Sequence, residues 1–415
     1  MDRPNSIAVI GASAAGIAAA TAARRSGFEG KVVVYDEDDN LPYERPPLSK
    51  ALSKTGQQLK PIISADTYDS LGIELRLGQG VKALDSEKKT LMLTDGSDDR
   101  YDRVVLATGV SARRIAVPGA ELDHVLHLRN AADALRVTER LMAGGPLVVV
   151  GGGFIGLELA AVARSLSIDV TVVELAPLPL HNAVGPDVAS LVHRLHVDRG
   201  VRFITRTGIS AFRGDPAVAE VVLDSGRVIP AQTVVVGVGV VPNDQLARSL
   251  GVTSELGVVA HNSGATSHPW LWAAGDVAVR NHPRLRRATR IEHWDTAQRH
   301  GEAAGRSIVG DWTEESAVPY VWSDQYDLTY QSFGRREPSD KVVLRDGAEP
   351  HNFLAFFIGN EQVHAVVGIG HPREVRAGRS LIEAGAAVPE QALRDADTDL
   401  RRLSRSVVQS SSTQN

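Results

Sequence analysis

The 415-residue chain contains no cysteine. Disulfides, thiolate nucleophiles, and zinc or iron–sulfur clusters held by cysteine are therefore excluded together. A dominant charge is also missing, since 45 basic and 50 acidic residues leave a net charge of −5. With the two signs interspersed, no polybasic tract offers general nucleic-acid or anionic-membrane binding. There is no long hydrophobic run either. Ile7 to Ala23 is rich in apolar and small residues, yet no basic region precedes it and Gly11, Ser13 and Gly16 interrupt it. It reads as a strand turning into a helix, not as a signal or membrane segment, and a cytoplasmic location is expected. At this length and 43% hydrophobic content, the chain can fill several cores, so two or three domains are expected.

The most informative stretch lies in the middle. Leu147, Val148, Val149 and Val150 form a short apolar run, and Gly151, Gly152, Gly153, Phe154, Ile155 and Gly156 follow it as a complete G-x-G-x-x-G. The glycines allow a tight turn, close approach of backbone to a pyrophosphate, and close packing of the next helix on the strand. That helix, expected over Leu157–Leu166, offers free N–H groups to phosphates at its start. Val170–Val173 reads as the next strand and Glu174 closes it, where a ribose-binding acid belongs. A carboxylate there accepts two ribose hydroxyls and repels a 2′-phosphate, so NAD is expected rather than NADP.

A second such unit opens the chain. After a strand over Ser6–Ile10, Gly11, Ala12, Ser13, Ala14, Ala15 and Gly16 repeat the fingerprint with serine in place of the middle glycine. A helix to Arg25, a strand over Val32–Tyr35 and the acids Asp36, Glu37 and Asp38 complete it. No further internal repeat is present. Two units imply two dinucleotides, and FAD with NAD is the economical pair, because a flavin accepts a nicotinamide hydride and can release electrons singly.

Leu41 to Lys50 reads L-P-Y-E-R-P-P-L-S-K. Its adjacent prolines exclude a helix interior or central strand and leave a rigid loop carrying Arg45 and Lys50. This segment resembles the corresponding loop of the FAD-dependent NADH:ferredoxin reductases of bacterial oxygenase systems, a group related to apoptosis-inducing factor. Further motifs of that family follow in order: Ala107-Thr108-Gly109, His127-Leu128-Arg129, Val234 to Pro242, Trp272 to Val277, Arg290 to Asp295, and Pro319 to Leu328.

The resemblance implies an α/β fold with two Rossmann-like dinucleotide-binding domains, glutathione-reductase-like, plus a C-terminal α+β domain. A discontinuous FAD-binding domain would comprise residues 1–111 and 242–318, with the NAD-binding domain inserted as 112–241 and the C-terminal domain over 319–403. Residues 404–415 are polar and low in complexity, which predicts a disordered tail. Around the cofactors the resemblance places Gly11, Ser13, Ala14, Ala15, Gly16, Glu37, Asp38, Arg45, Pro47, Val81, Ala107, Thr108, Gly109, Arg129, Gly239, Gly275, Asp276, Glu292, His293, Trp294 and Trp322, with Gly151, Gly153, Phe154, Ile155, Gly156 and Glu174 on the NAD side. A helix start at Gly275-Asp276 is expected to present the aspartate to the flavin's ribityl chain. Lys50 and Glu158 are implied as the catalytic pair meeting near flavin N5.

Related disulfide reductases and NADH peroxidases need cysteines that this chain does not have. What remains is hydride from NADH to flavin, then single electrons outward to a one-electron protein; the resemblance implies a small two-iron ferredoxin that feeds a monooxygenase or dioxygenase. Two alternatives stay open: a flavoprotein whose redox state regulates an interaction, and an NADH oxidase or quinone reductase with a small acceptor. Arg280, Arg284, Arg286, Arg287 and Arg290 cluster between two flavin-contacting motifs. They are expected either to face water or to dock an acidic ferredoxin.

Overall fold

The structure, a computed structural model, describes residues 4–50, 59–285 and 287–412. The chain folds into two compact units: Met1–Pro47 with Gln58–Ser111 and Val240–Ala317, and Leu48–Gln57 with Ala112–Gly239 and Val318–Asn415.

The first unit is built on a five-stranded parallel sheet in the order Leu271–Ala273, Arg103–Leu106, Ser6–Ile10, Lys31–Asp36, Ile73–Leu77. Its inner strands are continuous apolar runs because both faces are covered; Ile7, Ala8, Val9, Val32, Val33 and Val34 are all buried. Helix Ala14–Arg25 lies against helix Trp294–Ile308, and small residues set their separation. A Cβ on Gly301 would stand 2.0 Å from the Ala15 carbonyl oxygen, and one on Gly305 2.1 Å from that of Ala19. Smaller sheets complete the unit, among them the antiparallel Val81–Asp85, Thr90–Leu93 and Asp98–Arg100.

The second unit repeats the plan and adds to it. A parallel sheet runs Arg202–Thr205, Val170–Glu174, Leu147–Val150, Thr233–Val236, Val125–Leu126. The middle segment closes on itself, since the Arg113 N–H donates to the Gly239 carbonyl at 2.9 Å. A five-stranded antiparallel sheet follows, in the order Tyr320–Gln325, Leu328–Gly334, Gln362–Ile369, Phe353–Gly359, Lys341–Leu344. Side chains alternate along Phe353–Gly359. Phe353, Ala355 and Phe357 join Val188, Leu191 and Leu195 of helix His181–Asp198 in one core, while Leu354 and Phe356 join Val375 and Leu381 of helix Pro372–Ala384 in another. The expected α/β fold with a C-terminal α+β part is what the chain adopts.

Two expectations are corrected. The segment expected to be a disordered tail from Ser404 belongs to a helix, Leu400–Ser412. Leu400, Leu403 and Val407, at i, i+3 and i+7, form the stripe that packs into the C-terminal core. Gly275-Asp276 does not open a helix: Gly275–Val277 is a single 3-10 turn that leads into strand Ala278–His282. Its β-branched Val277 and Val279 favour the extended continuation. Among the described residues no helix is long and apolar enough to cross a membrane.

Candidate active site: two dinucleotide cradles and a buried carboxylate

The two fingerprints fold into the same cradle. Gly11 has φ +107° and Gly151 φ +104°, a region L side chains rarely enter. A Cβ on Gly11 would lie 2.3 Å from the Ala107 carbonyl oxygen, and one on Gly151 2.3 Å from that of Gly237. Gly16 and Gly156 sit where a Cβ would strike the carbonyl of the first glycine, at 1.8 and 2.3 Å. Ser13 and Gly153 are the N-cap residues of helices Ala14–Arg25 and Phe154–Ser165, which present their free N–H groups to the turn. Each cradle is closed by the acid that ends the next strand. Asp36 Oδ2 accepts the Ala12 N–H at 2.5 Å, and Glu174 Oε2 accepts the Gly152 N–H at 2.6 Å. A backbone cradle that a Cβ would fill, with a carboxylate at its edge, fits an adenine dinucleotide in both places.

In the first unit a cleft is lined by Ala12, Ser13, Asp36, Asp38, Tyr43 and Arg45 among others. Partial burial disfavours the Asp38 charge, but hydrogen bonds from the Asn40 side chain and backbone and from Tyr43, with Arg45 nearby, outweigh it and hold its pKa below the usual value. Glu37 is exposed, whereas Val81 is buried at the start of its strand. Ala107 donates its N–H to the Ile10 carbonyl at 2.8 Å. Thr108 and Gly109 are tied to Asn243: Thr108 Oγ1 donates to its carbonyl at 2.7 Å, and its backbone N–H donates to the Gly109 carbonyl at 3.0 Å. Gly275 abuts the fingerprint helix, where an added Cβ would be 2.7 Å from the Ala15 Cβ. His293 is the N-cap residue of helix Trp294–Ile308, and Glu292 pairs with Arg290 at 2.9 Å.

In the second unit Phe154 lies against the Tyr330 ring at 5.2 Å, and Ile155 is exposed. Gly239 has φ +97°. Arg129 directly precedes the capping box Asn130–Asp133 and donates its N–H to Asp133 Oδ2 at 2.9 Å. Pro47 lies in a 3-10 turn, Pro46–Ser49, that leads to Lys50.

Glu158, on the second fingerprint helix, is 5% exposed. Its carboxylate accepts hydrogen bonds from the Ser49 hydroxyl and, at 2.6 Å, from that of Ser323. Lys50 Nζ lies 3.5 Å from Glu158 Oε1 and 2.9 Å from Asp324 Oδ2, and 5.5 Å over the Trp322 ring. Burial pushes the Glu158 pKa up, while Lys50 and the Ser323 and Ser49 hydroxyls pull it back and the Asp324 charge adds to the rise. Lys50, Glu158 and Trp322, far apart in sequence, are thus brought together.

Residues 5–301 match the family model of pyridine nucleotide-disulphide oxidoreductases, and residues 320–404 match that of the reductase C-terminal domain. The chain belongs to the pyridine nucleotide-disulphide oxidoreductase family. It is 33% identical over 403 residues to the ferredoxin–NAD(+) reductase subunit of a benzene 1,2-dioxygenase system from Pseudomonas putida, covering 97% of this chain and 98% of that one. A crystal structure of a ferredoxin reductase from Rhodopseudomonas palustris superposes with a TM-score of 0.93 at 30% identity, over 96% of this chain and 100% of that one. The covalent putidaredoxin reductase–putidaredoxin complex gives 0.93 at 29% identity, over 99% and 100%. The chain has no cysteine to form a redox-active pair.

One cradle contact was not foreseen and one arginine was misplaced. Asp36 takes on the first cradle the backbone hydrogen bond that Glu174 takes on the second; the signal was its place as the last residue of the strand, one step beyond the buried Tyr35. Arg280 is not a surface residue. It is 3% exposed, and its guanidinium donates to the carbonyls of Asn262 at 2.9 Å and Ala273 at 3.1 Å. Strand direction turns it inward beside Glu315. Arg284 and Arg287 are exposed, Arg290 is held by Glu292, and Arg286 lies outside the described residues.

Proposed function

We propose that this protein is an NADH:ferredoxin reductase that delivers electrons to a small two-iron ferredoxin serving a monooxygenase or dioxygenase. The observation that carries this reading is a pair of dinucleotide cradles in a chain without a cysteine, which leaves a flavin as the redox centre between nicotinamide and acceptor. Bound FAD takes up a nicotinamide hydride and gives electrons out one at a time. The full-length likeness to ferredoxin–NAD(+) reductases supports the acceptor. The cytoplasm, where NADH is regenerated, is the compartment this role requires. Steady-state turnover with a ferredoxin, a quinone and oxygen tests it: ferredoxin should give the highest kcat/KM, and a quinone or oxygen outrunning it would overturn the assignment.

Glu174 sets the nucleotide. Its carboxylate is already anchored on the Gly152 and Ala176 N–H groups, and its negative charge opposes a 2′-phosphate. Glu174→Ala should weaken NADH binding by about 10-fold or more, the worth of a charge-assisted hydrogen-bond pair, and narrow the preference over NADPH. Equal kcat/KM of the wild-type protein for both nucleotides would remove Glu174 from this role.

Docking of the ferredoxin is assigned to the surface around Arg284 and Arg287. Charge reversal at both should raise the apparent KM for ferredoxin and flatten its salt dependence, since exposed charges act mainly on encounter. Reduction of ferricyanide by NADH should stay nearly unchanged. A parallel fall in both activities would place the effect in the cofactor sites instead.

A further inference from the structure

Glu158 is also the end of a hydrogen-bond chain that the cofactor cradles do not use. Ser323 Oγ lies 2.6 Å from Glu158 Oε1, and Gln325 Nε2 lies 3.0 Å from Ser323 Oγ. Gln325 Oε1 is 2.8 Å from His196 Nε2, and His196 Nδ1 is 3.0 Å from the Tyr326 hydroxyl. Ser323, Gln325 and His196 are buried, at 0%, 3% and 0% exposure. Ser323 and Gln325 are two apart on strand Tyr320–Gln325 and so share a face. His196 reaches them from helix His181–Asp198, and Glu158 from helix Phe154–Ser165.

The direction of every bond follows from one fact. A serine hydroxyl has a single proton to give. If Ser323 gives it to the Glu158 carboxylate, Ser323 must accept from the Gln325 amide, whose oxygen then faces His196. His196 must therefore carry its proton on Nε2 and accept from Tyr326 at Nδ1. Burial pushes the His196 pKa down to about 4, so the ring stays neutral and offers one donor and one acceptor, as the chain requires. All four donors then point toward Glu158, and each bond polarises the next. A protonated Glu158 removes the acceptor that sets this order.

We propose that Gln325 and His196 are positioning residues that act through Ser323 to hold the Glu158 carboxylate ionised and oriented. The other groups facing Glu158 are Lys50 and Ser49, which favour its charge, and Asp324, which opposes it. Burial and Asp324 act against the charge, Lys50 and two hydroxyls act for it, and loss of one of those hydrogen bonds raises the pKa further. The consequence for hydride transfer rests on the NADH-oxidising reading; the charge on Glu158 itself does not.

The test uses the full chain with FAD bound. The Glu158 carboxyl band is titrated by infrared spectroscopy, assigned by its loss in Glu158→Gln, and the His196 tautomer is read from its ¹⁵N shifts. Removing a donor to the charged form raises a carboxyl pKa, so Ser323→Ala should move the midpoint up by about one pH unit. Gln325→Met should move it the same way by less, and Ser323→Thr should leave it near the wild-type value. His196 should carry its proton on Nε2 in the wild type and lose that preference in Gln325→Met. The pH profile of flavin reduction by NADH should follow the infrared midpoint. A midpoint unmoved in Gln325→Met, or an Nδ1–H His196 beside an ionised Glu158, overturns the proposal. Should Ser323→Ala fail to fold, Gln325→Met and the wild-type tautomer still decide. If the midpoints move as expected but NADH does not reduce the wild-type flavin, the functional reading falls and the network stands.

Discussion

Glu158→Ala and Lys50→Met should each slow flavin reduction by NADH about 10²-fold in stopped flow, with FAD still bound. The expectation follows from the way these two charges depend on each other. Glu158→Ala leaves the Lys50 ammonium with Asp324 alone, 2.9 Å away and half in water, and strips the Ser49 and Ser323 hydroxyls of their acceptor. Lys50→Met does the converse: a carboxylate whose pKa burial already pushes up loses the cation that favours its charge. Either change removes a preorganised charge pair, a loss that costs about 10²–10³ in rate where charge develops during reaction. Unchanged rates in both variants would take the pair out of the mechanism. Asp324→Asn separates the partners, because it leaves Lys50 to Glu158 and should not reproduce the defect.

The second large effect concerns stability. Arg280→Met should destabilise the protein by about 3–5 kcal/mol, the usual result of removing one partner from a buried charge network, and should lower the melting midpoint accordingly. The guanidinium serves the carbonyls of Asn262, Ala273 and His300 from inside the first unit. Burial lowers its pKa, which Glu315 counteracts, and it stays charged at neutral pH. Its loss strands those carbonyls and leaves Glu315, itself 3.8 Å from His300 Nε2, without its cation. Lysine should not rescue, since an ammonium cannot reproduce the planar fork. Reversal of Arg284 and Arg287 should by contrast cost little stability, because exposed arginines rarely contribute much. A melting midpoint unchanged in Arg280→Met would show that the cluster is not holding the fold.

What could be foreseen from residue order depended on the kind of constraint involved. The two cradles were legible because positive φ at Gly11 and Gly151 and the close approaches at Gly16 and Gly156 admit only glycine, so spacing alone reports them. Asp36 was not singled out among three consecutive acids, because composition does not say where a strand ends. The arginine cluster misled for a related reason: counting charges ignores which side of a strand each faces, and Arg280 faces in. The terminal helix was hidden by its serines, although Leu400, Leu403 and Val407 already carried the helical interval. The chain from Tyr326 to Glu158 was beyond reach, because its members come from one strand end and two helices that only the tertiary fold brings together.

The hydrogen bond from Arg113 to Gly239 has a meaning outside chemistry. A segment whose two ends meet can be inserted into, or lifted out of, a host chain without stretching either, since the host need only bridge a gap of a few ångströms. The middle segment is nevertheless not free-standing, since its helix His181–Asp198 shares a core with Phe353, Ala355 and Phe357. Its lineage need not be that of the sequence flanking it, and the twin cradles are what duplication of one ancestral module followed by nesting of the copy would leave behind. Exchanging residues 112–239 for the same stretch of a relative should accordingly be tolerated where the graft keeps the apolar side chains at 188, 191 and 195 that pack on Phe353, Ala355 and Phe357.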